Sequence, residues 1–329
     1  MLVVSVIVGA MIGAVAISPG DIIASVAARI PLVGGESPLD DRTEAIIWQI
    51  RMPRVILAVL VGSMLSVAGA AYQGVFRNPL ADPYLLGAGA GAGLGATMAI
   101  AYGPDGSTWL IDPLPIAAFV GAIFGVAMAY LLGYSVRSGR TAVTLILAGV
   151  AVASFLTAIQ TFVQQRESET LREVYGWILG SLNTAGWSEV RLVLPYVAIC
   201  SVVVFLYRRL LDVMSLGDTE SASLGLRPSR MRLIIIAFAT LGTAAVVSVS
   251  GLIGFVGIIV PHTVRLLTGA SYRIVVPLSI LVGGAFLVLA DVIARTAQAP
   301  AEIPIGVVTA LVGAPFFAIV LRKSKGVVS

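Results

Sequence analysis

The sequence predicts an all-α integral membrane protein with about ten transmembrane helices. Three observations carry that expectation. Hydrophobic residues make up 58% of the 329 and charged residues only 12%. Mean hydropathy is +1.00, and apolar runs of bilayer-crossing length recur along the whole chain. A helix needs about 20 mostly apolar residues to cross a hydrocarbon core about 30 Å thick, whereas a membrane-barrel strand needs only about 10. Runs of this length therefore read as helices, and residues 1–329 read as one transmembrane domain with nothing left over for a soluble one.

The first expected span, 2–18, has no Lys or Arg before Arg29. It lacks the basic flank of a secretory signal and reads as a retained helix, with the natural start open to lying upstream of Met1. The second, 54–73, follows Pro53, whose missing N–H costs nothing in an opening turn. Pro79 and Pro83 in NPLADP (78–83) then forbid regular helix and set a tight turn before the third span, 85–103. That span holds GAGAGAGLGA at 87–96. Small residues of this kind let backbones approach closely, so the stretch reads as a helix seam, with the lining of a wide pathway as the alternative.

Spans four to six run over 113–134, 142–163 and 190–207. The lone Cys200 in the sixth permits no intrachain disulfide and reads as packing. Between spans six and seven (233–249), Asp218 to Leu224 carries the marks of a short amphipathic helix: Asp218 to cap it, Gly225 to end it, Pro228 to stop it continuing. The short eighth span, 252–267, contains the only histidine, His262, three residues before Arg265 and hence on the same face; a structural role at the inner end is expected. Spans nine and ten cover 274–293 and 305–321, with Asp291 expected near the outer surface in a local ion pair with Arg295.

An even number of spans puts both termini on one side, and the tail cations Arg322, Lys323 and Lys325 mark that side as cytoplasmic. The inner loops then hold thirteen cations, among them Arg77, Arg137, Arg140, Arg232 and Arg273, against Asp82, Asp212, Asp218 and Glu220. The outer loops hold eight cations against thirteen acids. The basic pI near 9.4 thus reflects orientation, and no basic patch interleaved with aromatics points to nucleic acid.

Several chemistries are missing. The only lysines, Lys323 and Lys325, lie in the tail, so no GxxxxGK[ST] phosphate loop exists. One histidine and one cysteine offer no metal cluster and no catalytic triad in waiting. Rings of charge expected of a channel, and the buried carboxylates usual in an ion-coupled carrier, are not visible in the spans.

Seven segments together resemble the FecCD-type permeases of binding-protein-dependent ABC importers for iron siderophores, haem and cobalamin. They are RMPR (51–54), GAAYQGVFRNPLADPYLLGAGAGA (69–92), GWILGSL (176–182), LGDTESASLGL (216–226), GLIGFVGIIVPHTVRLL (251–267), ADVIAR (290–295) and EIPIGVVTALVGAPFF (302–317). The resemblance implies a type II ABC importer permease fold in the bacterial cytoplasmic (inner) membrane. It implies a partnership of two copies of the chain with two ATP-binding subunits, which hold ATP and Mg, and one extracytoplasmic binding protein. The chain itself would bind no cofactor or metal.

The resemblance also implies roles. Arg51, Arg54 and Arg295 match docking arginines that pair with glutamates of the binding protein, a task suited to permanently charged, bidentate guanidinium groups. The segment 216–226 matches the coupling helix that seats in the ATPase, with Leu216, Gly217, Asp218, Thr219, Glu220, Leu224, Gly225 and Leu226 as contact residues. Asn78 and Leu80 match the cytoplasmic gate, and Gly87, Gly89 and Gly91 the pathway beside it. A ferric siderophore or haem is the expected cargo, cobalamin the alternative, and a gradient-driven secondary carrier the rival from another class.

Overall fold

A computed structural model describes residues 1–13, 17–29, 37, 39–103, 112–135 and 142–324, and those residues form helices joined by loops and turns. Fourteen α-helices are described: α1 Leu2–Met11, α2 Pro19–Ala28, α3 Asp41–Ala45, α4 Met52–Phe76, α5 Ala88–Tyr102, α6 Pro113–Ser135, α7 Ala142–Arg166, α8 Leu171–Ile178, α9 Trp187–Met214, α10 Asp218–Ser223, α11 Pro228–Ser250, α12 Val256–Thr268, α13 Tyr272–Thr296 and α14 Ile305–Ser324. Ten of them answer the ten expected spans. Six described helices are long and apolar enough to cross a membrane, and α1, α12 and α14 are shorter apolar helices. Arg137, Arg140, Lys325 and positions 14–16 of the expected first span lie outside the described residues, as does the Lys323 side chain.

α4 is the axis of the bundle. In its most apolar window 83% of the residues are buried, against 28–33% for α6, α7 and α9. A helix apolar on all sides belongs in a core, and one buried on a third of its surface belongs at the rim facing lipid. Close approach explains its glycines. A Cβ at Gly62 would lie 2.2 Å from the Gly283 carbonyl oxygen in α13, and one at Gly69 would lie 1.9 Å from that of Gly257 in α12.

α4 also enters differently from expectation. Helix runs unbroken from Asp41, through a π-helical stretch Ile46–Arg51, to Phe76, so Pro53 does not open the helix. The Met52 N–H reaches back five residues to the Ile47 carbonyl. That widened turn accommodates a proline whose ring would crowd the carbonyl four residues earlier in a regular helix.

The described part of the segment between α1 and α4 adds structure that the expected spans do not cover. It folds on itself: Ser18 caps α2 through its hydroxyl, Ile22 and Ile47 meet Ala10 in a small separate core, and Trp48 Nε1 donates to Ser25 Oγ at 2.9 Å.

Candidate functional sites

The two ends of α4, about 37 Å apart at 1.5 Å per residue, each carry a charged cluster. At its N-terminal end the three sequence-predicted arginines converge, and all three are engaged. Arg51 is 4% exposed, with Nη1 donating to the carbonyl oxygens of Ala10 (2.8 Å) and Met11 (2.9 Å). It satisfies acceptors left over at the C-terminus of α1, where a cation is also favoured by the helix dipole. Arg295 donates from Nη2 to the Gly9 carbonyl and lies 3.6 Å from Asp291. Arg51 and Arg295 together clasp α1.

Arg54 is the member that reaches outward. Its Nε and Nη2 donate to Asp291 at 2.8–3.1 Å. Nη1 and Nη2 also each donate to one oxygen of Glu302 at 2.9 Å. The expected Asp291–Arg295 pair is present, but Arg54 is the nearer partner. Nothing local announced it, because 237 residues separate the two. Glu302, in the loop after α13, lies inside a quoted motif yet was not singled out; the hydrogen bonds from Arg54 hold its carboxyl below the usual range. A cleft of about 150 Å³ opens here, lined by Arg54, Asp291 and Glu302 with Ser181 and Asn183.

At the other end, α10 spans only Asp218–Ser223. Asp218 is its first helical residue and not the cap expected of it, a position that Gly217 holds. Gly217 precedes it at φ +133°, and both Asp218 carboxylate oxygens take Arg232 Nη2 at 3.0 Å, with Arg77 Nη2 3.8 Å away. Gly225 ends the helix as expected, at φ +84°. The N–H groups of Gly225 and Leu226 return to the carbonyls of Ala222 (2.9 Å) and Ser221 (3.1 Å), a paired C-terminal closure that needs a left-handed residue. The Ser221 hydroxyl, buried, ties α10 back to the Val213 carbonyl. Exposed on and beside it are Leu216 (63%), Leu224 (64%), Thr219, Glu220, Ala222, Ser223 and Gly225, with Leu226 half-buried.

Beside it, Arg77 ends α4 in a left-handed conformation (φ +50°), and NPLADP follows as two side-chain-closed turns. Asn78 Oδ1 accepts from the Leu80 N–H at 3.0 Å, and Asp82 Oδ1 from the Tyr84 N–H at 2.8 Å. Burial pushes the Asp82 carboxyl up to about 6. Asn78 and Leu80 are half-buried.

The glycines fill a seam. A Cβ at Gly91 would meet the Gly121 carbonyl of α6 at 2.1 Å, and one at Gly121 would meet that of Gly91 at 2.2 Å. Gly87 precedes α5 at φ +85°, and Gly89 lies against the Tyr84 ring. A larger apolar trough of about 570 Å³ lies elsewhere, between α8, the 251–255 loop and α14, lined by Leu179, Leu252, Phe255, Val307, Leu311 and Pro315. His262 does not pair with Arg265. Its ring meets Phe316 edge-on at 5.8 Å, while Arg265 donates to Gln73 (3.1 Å) and Tyr272 (3.2 Å).

The family model described as the FecCD transport family matches residues 1–323. The chain belongs to the FecCD transport family. Among its relatives, a cobalamin import system permease of Halobacterium salinarum is 40% identical over 287 residues, covering 87% of this chain and 75% of that one. An Fe(3+)-citrate import system permease of Bacillus subtilis is 36% identical over 98% of this chain and 92% of its own length. A solved structure of a metal-chelate type ABC transporter in an inward-facing conformation superimposes with a TM-score of 0.84 at 29% identity, over 98% of this chain and 96% of the other. The chain is thus a multi-pass membrane protein of an ABC permease family with the fold the motifs implied.

Proposed function

We propose that the chain is the permease subunit of an ATP-driven importer that passes an iron chelate, a ferric siderophore or haem, from an extracytoplasmic binding protein to the cytoplasm. One observation carries this reading: a rim of arginines at one end of a membrane-length core helix, and at the other a short braced helix that presents two bare leucines and a glutamate. The first surface suits an acidic docking partner. The second suits a cleft in a motor subunit that delivers work by rigid-body movement.

Two copies of the chain, each one domain over 1–329, would enclose the pathway between them. Two ATPase subunits would carry ATP and Mg, in a bacterial cytoplasmic membrane with both termini inside. Arg54 makes the outward docking contact, while Arg51 and Arg295 hold the rim in shape. Leu216, Thr219, Glu220 and Leu224 face the ATPase, and Asp218 braces them. Asn78 and Leu80 stand at the inner gate, Gly87, Gly89 and Gly91 let the adjoining helices close up, and the apolar trough along α14 lines the route. The iron reading is supported by the citrate permease relative and the metal-chelate transporter; the 40%-identical cobalamin permease supports the second reading.

The test is uptake into proteoliposomes holding the permease with its ATPase and supplied with the binding protein, offered ferric siderophore, haem or cobalamin in turn. ATP-dependent accumulation of an iron chelate is expected. Accumulation of cobalamin alone would replace the cargo, and uptake in vesicles lacking both ATPase and ATP would establish a gradient-driven carrier instead.

A further inference from the structure

Arg54 faces two carboxylates of different standing. Asp291, on α13, has a side chain 2% exposed and takes the inward donors Nε and Nη2. Glu302 has a side chain 37% exposed and takes the outward pair, Nη1 and Nη2, one to each oxygen. Parting Arg54 from Asp291 would strand a buried charge. Parting it from Glu302 returns a carboxylate to water, and exposed pairs of this kind are worth little. The outward fork has the planar, two-pronged geometry by which a guanidinium takes up any carboxylate presented from outside.

We propose that Glu302 is an internal stand-in for a partner's carboxylate: it occupies the outward fork of Arg54 while the permease is undocked, and an Asp or Glu side chain of the binding protein displaces it on docking. The inference rests on the reading of this end as the docking surface. Two features make the exchange physically simple. The neighbouring Ile303 N–H is fixed to the Ala294 carbonyl at 2.9 Å, so the Glu302 side chain can swing while its backbone stays in place. Ser181 and Asn183 line the same cleft and offer a hydroxyl and an amide to the displaced carboxylate. While bound, Glu302 neutralises the outward charge of Arg54, so the stand-in weakens docking and favours release of the emptied binding protein.

The experiment measures affinity of the binding protein that supports uptake for the full transporter in nanodiscs, with Glu302→Gln, Arg54→Gln and the double variant. Glu302→Gln is expected to tighten docking about three- to tenfold, as for removal of an exposed competing pair. Arg54→Gln is expected to weaken it. In the Arg54→Gln background Glu302→Gln is expected to change nothing, because the two act through one contact. Should Glu302→Gln tighten docking equally with and without Arg54, the effect is bulk charge and the stand-in is overturned. Unchanged or weaker docking by Glu302→Gln, with Arg54→Gln still weakening it, overturns the stand-in and leaves the docking surface. An Arg54→Gln protein that folds and binds as tightly as wild type removes the docking reading itself. If Arg54→Gln does not fold, Arg54→Lys, which keeps the charge but loses the fork, takes its place: it is expected to weaken docking, and Glu302→Gln is expected to gain less in its background than in wild type.

Discussion

At the scale of single residues, the informative groups are buried charges whose partners lie far away in sequence. Asp291 has a side chain 2% exposed and sits between Arg54 at 2.8 Å and Arg295 at 3.6 Å. Breaking a buried pair from one side commonly costs about 3–5 kcal/mol, because the survivor is left uncompensated. Arg54 keeps Glu302, so for Asp291→Ala about 2–3 kcal/mol is the fitting figure. A melting temperature lowered by several degrees in detergent is expected, with Asp291→Asn intermediate. An unchanged melting curve for Asp291→Ala would mean that the pair does not hold α4 to α13. The identity of such pairs was only half legible. Asp291 and Arg295 are one helical turn apart and announced themselves, whereas Arg54 was grouped with Arg295 by resemblance alone and its contacts to Asp291 and Glu302 came only from the fold.

At the scale of elements, apolar length and punctuation made nearly every long helix legible. The expected 113–134 became Pro113–Ser135 and the expected 274–293 became Tyr272–Thr296. What escaped were elements whose cause is not hydropathy: α2, built on the Ser18 cap and a small core shared with Ala10 and Ile47, the short α3 and α8, and the π stretch Ile46–Arg51, a response to Pro53. The short helix α10 was legible from Gly225 and Pro228. The job of Asp218 was not, since Arg232 reaches it across a turn of chain that no spacing rule covers. This division of labour predicts two different failures within the one segment 216–226. Asp218→Asn loosens the brace to Arg232 and Arg77, and should lower uptake severalfold while ATPase subunits still co-purify. Leu216→Ser with Leu224→Ser removes the exposed apolar grip, and should weaken the ATPase contact by about a hundredfold or more, enough to abolish co-purification, since each leucine buried at an interface is worth about 1.5 kcal/mol or more. Equal loss of co-purification in both variants would contradict the assignment of Asp218 as a brace.

On the scale of the whole molecule, the two surfaces are joined by α4, whose N-terminal region carries Arg51 and Arg54 and whose C-terminal end delivers Arg77 to within 3.8 Å of Asp218. A core helix packed against α9, α11, α12 and α13, and so close to Gly257 and Gly283 that a methyl group would collide, transmits displacement as a body and does not absorb it by bending. On the proposed function, mechanical contact at one end and recognition at the other are separate requirements, and each can be lost without the other. Glu220 is exposed on the first turn of α10, with its carboxylate against Gly217 and outside the Asp218–Arg232 pair itself. Glu220→Lys should therefore abolish ATP-driven uptake while membrane insertion, melting temperature and binding-protein affinity stay at wild-type values. The measurement is a parallel titration of docking in nanodiscs and uptake in proteoliposomes by the same preparation. Wild-type uptake by Glu220→Lys would show that this helix does not receive the work of ATP hydrolysis. A fall in docking affinity as large as the fall in uptake would show instead that the two ends are in energetic balance through α4 even at rest.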